Sequence, residues 1–239
     1  MNEKLQNKYN KLIDELKNCG SLAVAFSGGV DSALLVYAAH EALGDNLLAV
    51  TAVTQSYPQH EAADAAQILK SYGVRHAQIN VDQLAIPGFC ENGAERCYYC
   101  KRALFGAIMA EAQKHGITLV ADGANTDDEN DYRPGMRATA ELGVLSPLRK
   151  AGFSKQDIRD ASKALGIFTW DKPSYACLAS RIPYGEKITA EKLAMVEKAE
   201  QALLDMGFKE MRVRCHGNIA RIEVAENDFE KAAAQRKEI

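Results

Sequence analysis

Three cysteines carry much of the chemistry that residue type and spacing suggest in this sequence. Cys97 and Cys100 form a C-x-x-C pair in ERCYYCKR, and Cys177 lies far downstream in PSYACLASR. Three thiolates on a [4Fe–4S] cluster would leave one iron free for a further ligand, whereas three thiolates and a water would form a zinc site. A redox disulfide between Cys97 and Cys100 is another interpretation, although no thioredoxin-like pattern surrounds the pair. Buried, inert thiols are the remaining one.

The other cysteines and the overall composition narrow the class of protein. Cys19, Cys90 and Cys215 are interpreted as structural, and the five histidines lack ligand-like spacing. Six cysteines in 239 residues are too few for a disulfide scaffold, and the polar N-terminal residues are not a secretory signal. We therefore expect a cytoplasmic protein with reduced thiols and no membrane span. A net charge of −3 gives no general basic surface for nucleic acid.

The stretch SGGVDS has the composition of a phosphate-binding turn. Gly28 and Gly29 allow backbone N–H groups to approach an anion, and the helix predicted to follow adds a favourable dipole. The hydroxyls of Ser27 and Ser32 add donors, whereas Asp31 beside phosphate requires a Mg²⁺ ion between them. The loop has neither the lysine and spacing of a Walker A motif nor the G-x-G-x-x-G spacing. A capped turn without a ligand is the alternative.

These residues need elements that bring them together, and the hydrophobic pattern predicts alternating strands and helices. Short apolar runs predict the strands, and periodic runs predict the helices. The predicted strands are 21–26, 46–53, 75–81 and 117–123, and the predicted helices are 2–18, the run after SGGVDS, 59–73 and 98–116. This alternation predicts an α/β fold with a parallel sheet and helices on both faces.

The loops at the carboxyl ends of the predicted strands are the expected ligand site, because ligands of open parallel sheets bind there. These loops are 27–32, 54–60, 82–97 and 122–137. The phosphate-binding turn is one of them, and the C-x-x-C pair lies at the end of another. We therefore expect Cys97 and Cys100 to lie on the same side of the sheet as the phosphate-binding turn.

A second, smaller α+β domain is predicted after about residue 170. Residues 189–207 have a helical pattern with Thr189 as its cap, and two alternating strands follow around Gly217. The predicted domains are therefore 1–170 and 171–239. Because the chain ends inside an uncapped helical pattern, we expect the second domain to be incomplete at its C-terminus.

The phosphate-binding turn resembles the PP-loop of the ATP pyrophosphatase superfamily, whose fold is Rossmann-like. The resemblance implies that ATP is cleaved between its α and β phosphates with Mg²⁺, which leaves AMP on a substrate oxygen and releases pyrophosphate. The stretch ADGANTDDEND resembles the superfamily's second nucleotide segment, although a solvated acidic loop has the same composition. The ATP-binding residues implied are Ser27, Gly28, Gly29, Asp31, Ser32, Asp122, Asn125 and Asp128.

The stretches KPSYACLASRIPYG and RVRCHGNIARIE, together with the PP-loop, resemble the LarE family of ATP-dependent sulfur transferases. The resemblance covers most of the chain. It implies sulfur insertion into a pyridinium dicarboxylate mononucleotide during nickel-pincer cofactor biosynthesis. It also implies a homo-oligomer, which is a hexamer in the family.

The family uses two sulfur-donor designs, and the resemblance implies the three-cysteine one here. In that design Cys97, Cys100 and Cys177 hold a [4Fe–4S] cluster that carries an extra sulfide. In the other design the cysteine matching Cys177 gives up its own sulfur and becomes dehydroalanine. Cys177, Asp31 and Arg181 are the catalytic residues implied, Arg181 through its place in the motif that contains Cys177.

Two arginines in the stretch MRVRC are candidates for binding the substrate's phosphate. Arg212 and Arg214 alternate on a predicted strand and therefore project to one face, where they can bind an anion together. Salt bridges to Glu210 or Glu223 on a surface strand are the alternative interpretation.

Three other functions compete with a LarE-type transferase. A tRNA thiolase of the same superfamily can also use three cysteines, but it needs basic surface or an RNA-binding domain, and neither is evident. A zinc-stabilised nucleotide-binding regulator would bind ATP without releasing pyrophosphate. Amidating synthetases need an ammonia source and have no need of these cysteines.

Overall fold

A parallel sheet forms the centre of the larger part of the chain. The computed structural model describes residues 1–130, 134–173 and 176–239. The strands are β1 (Leu22–Ala25), β2 (Leu47–Val53), β3 (Arg75–Asn80) and β4 (Val120–Ala121), in the spatial order β3-β2-β1-β4. Every pairing between them is parallel. The predicted α/β class is therefore confirmed.

Helices cover both faces of this sheet. They are α1 (Glu3–Lys17), α2 (Val30–Leu43), α3 (Gln59–Tyr72), α4 (Arg96–Lys114), α5 (Pro134–Glu141), α6 (Pro147–Ala151) and α7 (Lys155–Ala164). Alternate residues of a strand point to opposite faces. Leu22 and Val24 accordingly share a core cluster with apolar residues of α1, α2 and α7, whereas Ala23 shares one with Phe105 and Ile108 of α4.

The C-terminal part forms the small α+β unit that the sequence predicts. It contains α8 (Ala190–Asp205), β5 (Met211–His216), β6 (Ile219–Val224) and α9 (Phe229–Ala234). The Thr189 side chain caps α8 by accepting a hydrogen bond from the backbone of Lys192 (3.3 Å). The antiparallel pair β5–β6 turns at Gly217, whose φ of 57° suits a residue without a Cβ. The domain boundary at residue 170 stays a prediction.

Two predicted elements differ from the structure at the edge of the site. The strand predicted over 117–123 is ordered as a strand only at β4, because the backbone N–H of Ile117 still bonds to Ala112 at the end of α4. Beyond β4, the Asp122 N–H bonds to the carbonyl of Leu145. Helix α4 begins two residues earlier than predicted, so Cys97 and Cys100 both lie on its first turns.

A separate apolar cluster joins the segment before α4 to the C-terminal unit. Phe89 packs there with Leu178 and Ile182, which follow Cys177, and with Leu193 of α8. This cluster packs the C-x-x-C region, through Cys100, against the segment that follows Cys177. None of the helices in the described ranges combines the length and apolar character that a bilayer crossing requires.

Candidate active site

A cavity of about 720 Å³ lies where β1, β2 and β4 end, as expected for a parallel sheet. Its walls combine the phosphate-binding turn, the loop after β2, the segment after β4, the first turns of α4 and the Cys177 region. The wall residues with polar or sulfur-containing side chains include Ser27, Asp31, Ser32, Ser56, Tyr57, Glu61, Gln83, Cys97, Lys101, Asp122, Asp128, Lys155, Lys172 and Cys177.

The phosphate-binding turn has the geometry that the sequence predicts. Gly28 has a φ of 74°, and Gly29 caps α2 without a side-chain hydrogen bond, so the first N–H groups of α2 have no side-chain cap. The Ser32 hydroxyl accepts a bond from the Ser27 N–H (3.3 Å) and donates to the Gly29 carbonyl (3.1 Å). These bonds close the turn around the helix N-terminus, which is a favourable place for an anion.

Asp31 lies in this turn with one carboxylate oxygen paired and the other unpartnered. Its Oδ2 accepts a bond from the Lys155 ammonium (2.6 Å), while its Oδ1 is buried without a hydrogen-bond partner. Burial raises the pKa of Asp31, and Lys155 opposes that rise. A buried carboxylate oxygen that faces a phosphate turn is a suitable ligand for Mg²⁺.

Hydrogen bonds to nearby and to distant residues organise the segment after β4. Asp122 accepts bonds from the Ser146 hydroxyl (2.8 Å) and the Ala124 N–H (3.1 Å), and Asp128 accepts one from the Asn125 N–H (3.0 Å). Asp122 and Asp128 line the cavity, whereas Asn125 is buried behind it. The last residue of the quoted acidic stretch, at position 131, lies outside the described residues.

Gly123 allows this segment to approach the phosphate turn. A Cβ at Gly123 would lie 3.1 Å from the Ser32 backbone nitrogen and 3.2 Å from the Asp31 Cβ. Any other residue would therefore push the segment away from the N-terminus of α2.

Sequence analysis missed the three lysines that line the cavity, Lys101, Lys155 and Lys172, and two of these pair with acidic residues of the wall. Lys155 contacts Asp31 as described, and Lys172 pairs with Glu61 (2.8 Å), which adjoins Gly28. The signal for Lys172 was its place at the start of the stretch KPSYACLASRIPYG. Lys155 gave no comparable signal, because its partner is 124 positions away.

The three cysteines meet at one side of the cavity. Cys97 and Cys177 line it, and Cys100 lies behind Gln83, whose amide donates to its Sγ (2.9 Å). The Cys177 Sγ lies 2.9 Å from the Ser56 hydroxyl. Burial raises the pKa of Cys100 to about 11, and the nearby Cys177 and Cys97 add to that rise. Cys97 and Cys177 thus share the cavity with the phosphate turn, and Cys100 lies near both of them behind Gln83.

The donor set suits an iron–sulfur cluster in type and number, although it is not arranged as a ligand set. Among the described residues, no group of three or more His, Cys, Asp or Glu side chains is positioned to hold a metal ion. The cysteines are all free thiols, so the Cys97–Cys100 disulfide is not formed here. Cys100 accepts an N–H bond from Gln83, which a thiolate bound to iron can keep, and the Ser56 hydroxyl lies beside Cys177.

A buried hydrogen-bond network around Asn92 holds the two cysteine-bearing segments together. The Asn92 amide donates to the carbonyls of Ile182 (3.3 Å), Pro183 (2.7 Å) and Glu186 (2.9 Å). Its oxygen accepts from Arg96 (2.5 Å), and the same guanidinium nitrogen donates to the Ala179 carbonyl (3.0 Å). The Asn92 network thus connects Arg96, directly before Cys97, to the turn after Cys177.

Arg181 does not occupy the predicted catalytic position. Its side chain is 2% exposed, does not line the cavity, and bonds Glu200 through two nitrogens (2.6 and 3.1 Å). Glu200 also accepts from the Val213 backbone (2.9 Å). The sequence motif drew attention to this arginine, but its guanidinium forms a buried ion pair that joins the Cys177 region to α8 and β5.

Arg212 and Arg214 lie outside the main cavity on the outward face of β5, as the alternation predicts. Arg214 pairs with Glu223 (2.8 Å), which supports the surface-salt-bridge interpretation for that residue. Arg212 makes no hydrogen bond or ion pair with the described residues and lines a smaller cavity of about 240 Å³. Pro173 lines both cavities, so the two adjoin.

The sequence is similar to one family model over part of its length and to known proteins over most of its length. The NAD synthase family model matches residues 4–92, which include the phosphate turn. The chain is 36% identical to pyridinium-3,5-bisthiocarboxylic acid mononucleotide synthase of Lactiplantibacillus plantarum, over 93% of this chain and 81% of that protein.

Two uncharacterized proteins are similar over comparable lengths. One from Synechocystis is 40% identical over 92% of this chain and 82% of its own length. The other, from Methanocaldococcus jannaschii, is 31% identical over 99% of this chain and 90% of its own length. The similarity therefore includes both the sheet and the C-terminal unit.

Proposed function

Since this chain belongs to the LarE family of PP-loop ATP-dependent sulfur transferases, we propose that it adenylates a pyridinium carboxylate mononucleotide and replaces the activated oxygen with sulfur, in nickel-pincer cofactor biosynthesis. One observation carries the proposal. The phosphate turn and the cysteines Cys97 and Cys177 line the same cavity. A site that holds an activated carboxylate can therefore present it to sulfur without releasing it.

The first half of the reaction uses the nucleotide side of the cavity. A substrate carboxylate oxygen attacks the α phosphorus of ATP, pyrophosphate leaves, and an acyl adenylate forms. The phosphate turn and the α2 N-terminus would hold the pyrophosphate, while Lys155 and Lys172 supply positive charge nearby. Asp31, with its unpartnered oxygen, and Asp128 would bind Mg²⁺, and Asp122 would fix the segment that contacts the nucleotide.

The second half delivers sulfur to the acyl carbon, and AMP leaves with the carboxylate oxygen. We propose that Cys97, Cys100 and Cys177 together hold a [4Fe–4S] cluster for this step. When bound, the cluster would supply a sulfide on its open iron. The support is that Cys97 and Cys177 line the cavity and that Cys100, although it lies behind Gln83, is close enough for both of them to affect its pKa.

Sacrificial transfer by Cys177 alone is the second candidate, favoured by its exposed thiol in the cavity wall. In that route the Cys177 sulfur attacks the acyl carbon, and AMP leaves. Loss of the Cα proton then breaks the Cβ–S bond, which leaves dehydroalanine and the thiocarboxylate. Iron, acid-labile sulfide and zinc contents of anaerobically purified protein separate the cluster from zinc and from bare thiols.

The substrate's phosphate would bind at Arg212, in the smaller cavity that shares Pro173 with the main one. Arg214 would contribute after release from Glu223. We also expect a cytoplasmic homo-oligomer, as the family resemblance implies. A tRNA thiolase is disfavoured, since the net charge is −3 and the cavity is sized for a small molecule.

The products of ATP test the proposed chemistry. With Mg²⁺ and the mononucleotide substrate, we expect AMP and pyrophosphate, and Asp31→Ala should abolish pyrophosphate release while the fold stays intact. Asp45→Ala, in an exposed turn after α2, is the matched control and should behave like the parent. ADP and inorganic phosphate as products would overturn the proposal.

A further inference from the structure

Ser56 and Gln83 connect two of the three cysteines through one continuous hydrogen-bonded chain. The Cys177 Sγ lies 2.9 Å from the Ser56 Oγ, and the Ser56 hydroxyl donates to the Gln83 Oε1 (2.5 Å). The Gln83 Nε2 then donates to the Cys100 Sγ (2.9 Å). Ser56 and Gln83 are almost completely buried, with 2% and 1% of their surfaces exposed. Buried polar side chains of this kind carry a cost unless every partner is in place.

The chain has a direction, because a serine hydroxyl has one proton. That proton is directed to the Gln83 Oε1, so the Ser56 oxygen is left to accept a bond from the Cys177 S–H. At the other end Cys100 receives an N–H bond from the same amide. The two sulfurs are therefore held in opposite roles, Cys177 as donor and Cys100 as acceptor.

Backbone contacts fix the two connecting residues independently of this chain. The Ser56 carbonyl accepts a bond from the Leu178 N–H (3.0 Å), directly after Cys177. The Gln83 N–H donates to the Gln55 side chain (2.9 Å). Loss of the Ser56 hydroxyl would leave these contacts in place, so the segment should keep its path while the Cys177 thiol loses its partner.

We propose that Ser56 and Gln83 are positioning residues for the sulfur-transfer half of the reaction, holding the Cys177 and Cys100 sulfurs in defined orientations at the cavity wall. The proposal rests on the proposed function, because it assigns these residues to the step in which sulfur reaches the acyl adenylate. Neither residue belongs to the phosphate turn or to the segment after β4, so the effect should fall on sulfur transfer more than on adenylation.

The S–H stretching band in the Raman spectrum tests the orientation directly. Subtracting the spectrum of metal-free Cys177→Ala from that of the metal-free parent isolates the Cys177 band, which should lie at the low frequency of a hydrogen-bonded donor. In a Ser56→Ala background the same subtraction should give a band at higher frequency. An unchanged band position would overturn the assignment of Ser56 as its acceptor.

The ratio of thiolated product to AMP tests the functional part. Ser56→Ala and Gln83→Leu should each lower this ratio at least about tenfold, as expected when a reacting group is misoriented. Ser71→Ala removes an equivalent single hydroxyl bond on α3 and should keep the parent ratio. A parent that forms no AMP would refute the proposed function itself. A parent that forms AMP and product, with both variants at the parent ratio, would refute only the positioning role.

Discussion

The cavity has a nucleotide side, formed by the phosphate turn and the segment after β4, and a sulfur side, formed by the regions of Cys97 and Cys177. The two sides differ in how their hydrogen bonds are distributed along the sequence. On the nucleotide side, the phosphate turn is closed by bonds between residues within five positions of each other, such as Ser27 with Ser32, and longer-range bonds such as Asp122 with Ser146 add to them. On the sulfur side, Ser56 contacts Cys177 across 121 positions, and Asn92 contacts Ile182 across 90. The first side therefore contains a local motif, whereas the second exists only when distant segments have folded together.

This difference predicts that damage to the sulfur side will appear as lost stability, while nucleotide binding persists. The largest effect is expected for Arg181→Met, because it leaves the buried Glu200 without its partner. The free energy of unfolding should fall by about 3–5 kcal/mol, measured by urea denaturation. Lys150→Met, which breaks an exposed pair with Glu15, should cost less than about 1 kcal/mol.

The same variant decides between the two roles of Arg181. If Arg181→Met is as stable as the parent but makes no thiolated product, the predicted catalytic role is correct and the structural one is wrong. If the double variant Arg181→Met with Glu200→Met regains stability, the ion pair is confirmed as the reason for the loss.

A smaller loss of stability is expected when the Asn92 network is removed. Asn92→Ala deletes several buried hydrogen bonds and places alanine at a φ of 54°, so unfolding should require about 2–4 kcal/mol less. Asn92→Gly loses the same bonds without the backbone strain and should recover about 1 kcal/mol. ATP affinity, measured by calorimetry, should be unchanged in both. A parallel loss of ATP affinity would mean that the two sides are not independent.

The smallest effect concerns the substrate rather than the fold. Arg212→Ala should weaken substrate binding by about 1.5–3 kcal/mol, the value of a charge-assisted bond, and leave the ATP requirement unchanged. Arg214→Ala should cost less, because its guanidinium is already paired with Glu223. Initial rates measured against substrate concentration and against ATP concentration distinguish an effect on substrate binding from an effect on ATP binding. An unchanged substrate dependence in both variants would return β5 to a surface strand with salt bridges.

The helices and strands that were predicted correctly are those that local sequence patterns determine. The predicted N-terminal helix is present as α1. It buries apolar residues at helical spacing, and strands β1 to β3 lie within one residue of their predicted bounds. The strand predicted over 117–123 was too long because apolar character alone does not reveal where helix α4 stops. Its final hydrogen bond reaches Ile117.

The residues of the site show the same distinction between local patterns and long-range contacts. The phosphate turn was visible because its glycines and serines act within one turn, whereas Lys155 was missed because it reaches Asp31 from α7. The family motif drew attention to Cys177 and Arg181 together, yet the fold turns one side chain to the cavity and the other to the core. Two residues of one short motif therefore need not have the same role.

The most direct test of ATP-driven sulfur transfer at the three cysteines is intact-protein mass spectrometry after anaerobic turnover, with AMP and thiolated product counted in the same sample. With reconstituted cluster and supplied sulfide, we predict one AMP per sulfur inserted, several products per chain and an unchanged Cys177. Cys97→Ala and Cys100→Ala should lose this turnover. A chain lighter by one H₂S at Cys177 after a single transfer, with both variants as active as the parent, would contradict the cluster and leave Cys177 as the donor. AMP formation without any thiolated product would contradict sulfur transfer altogether.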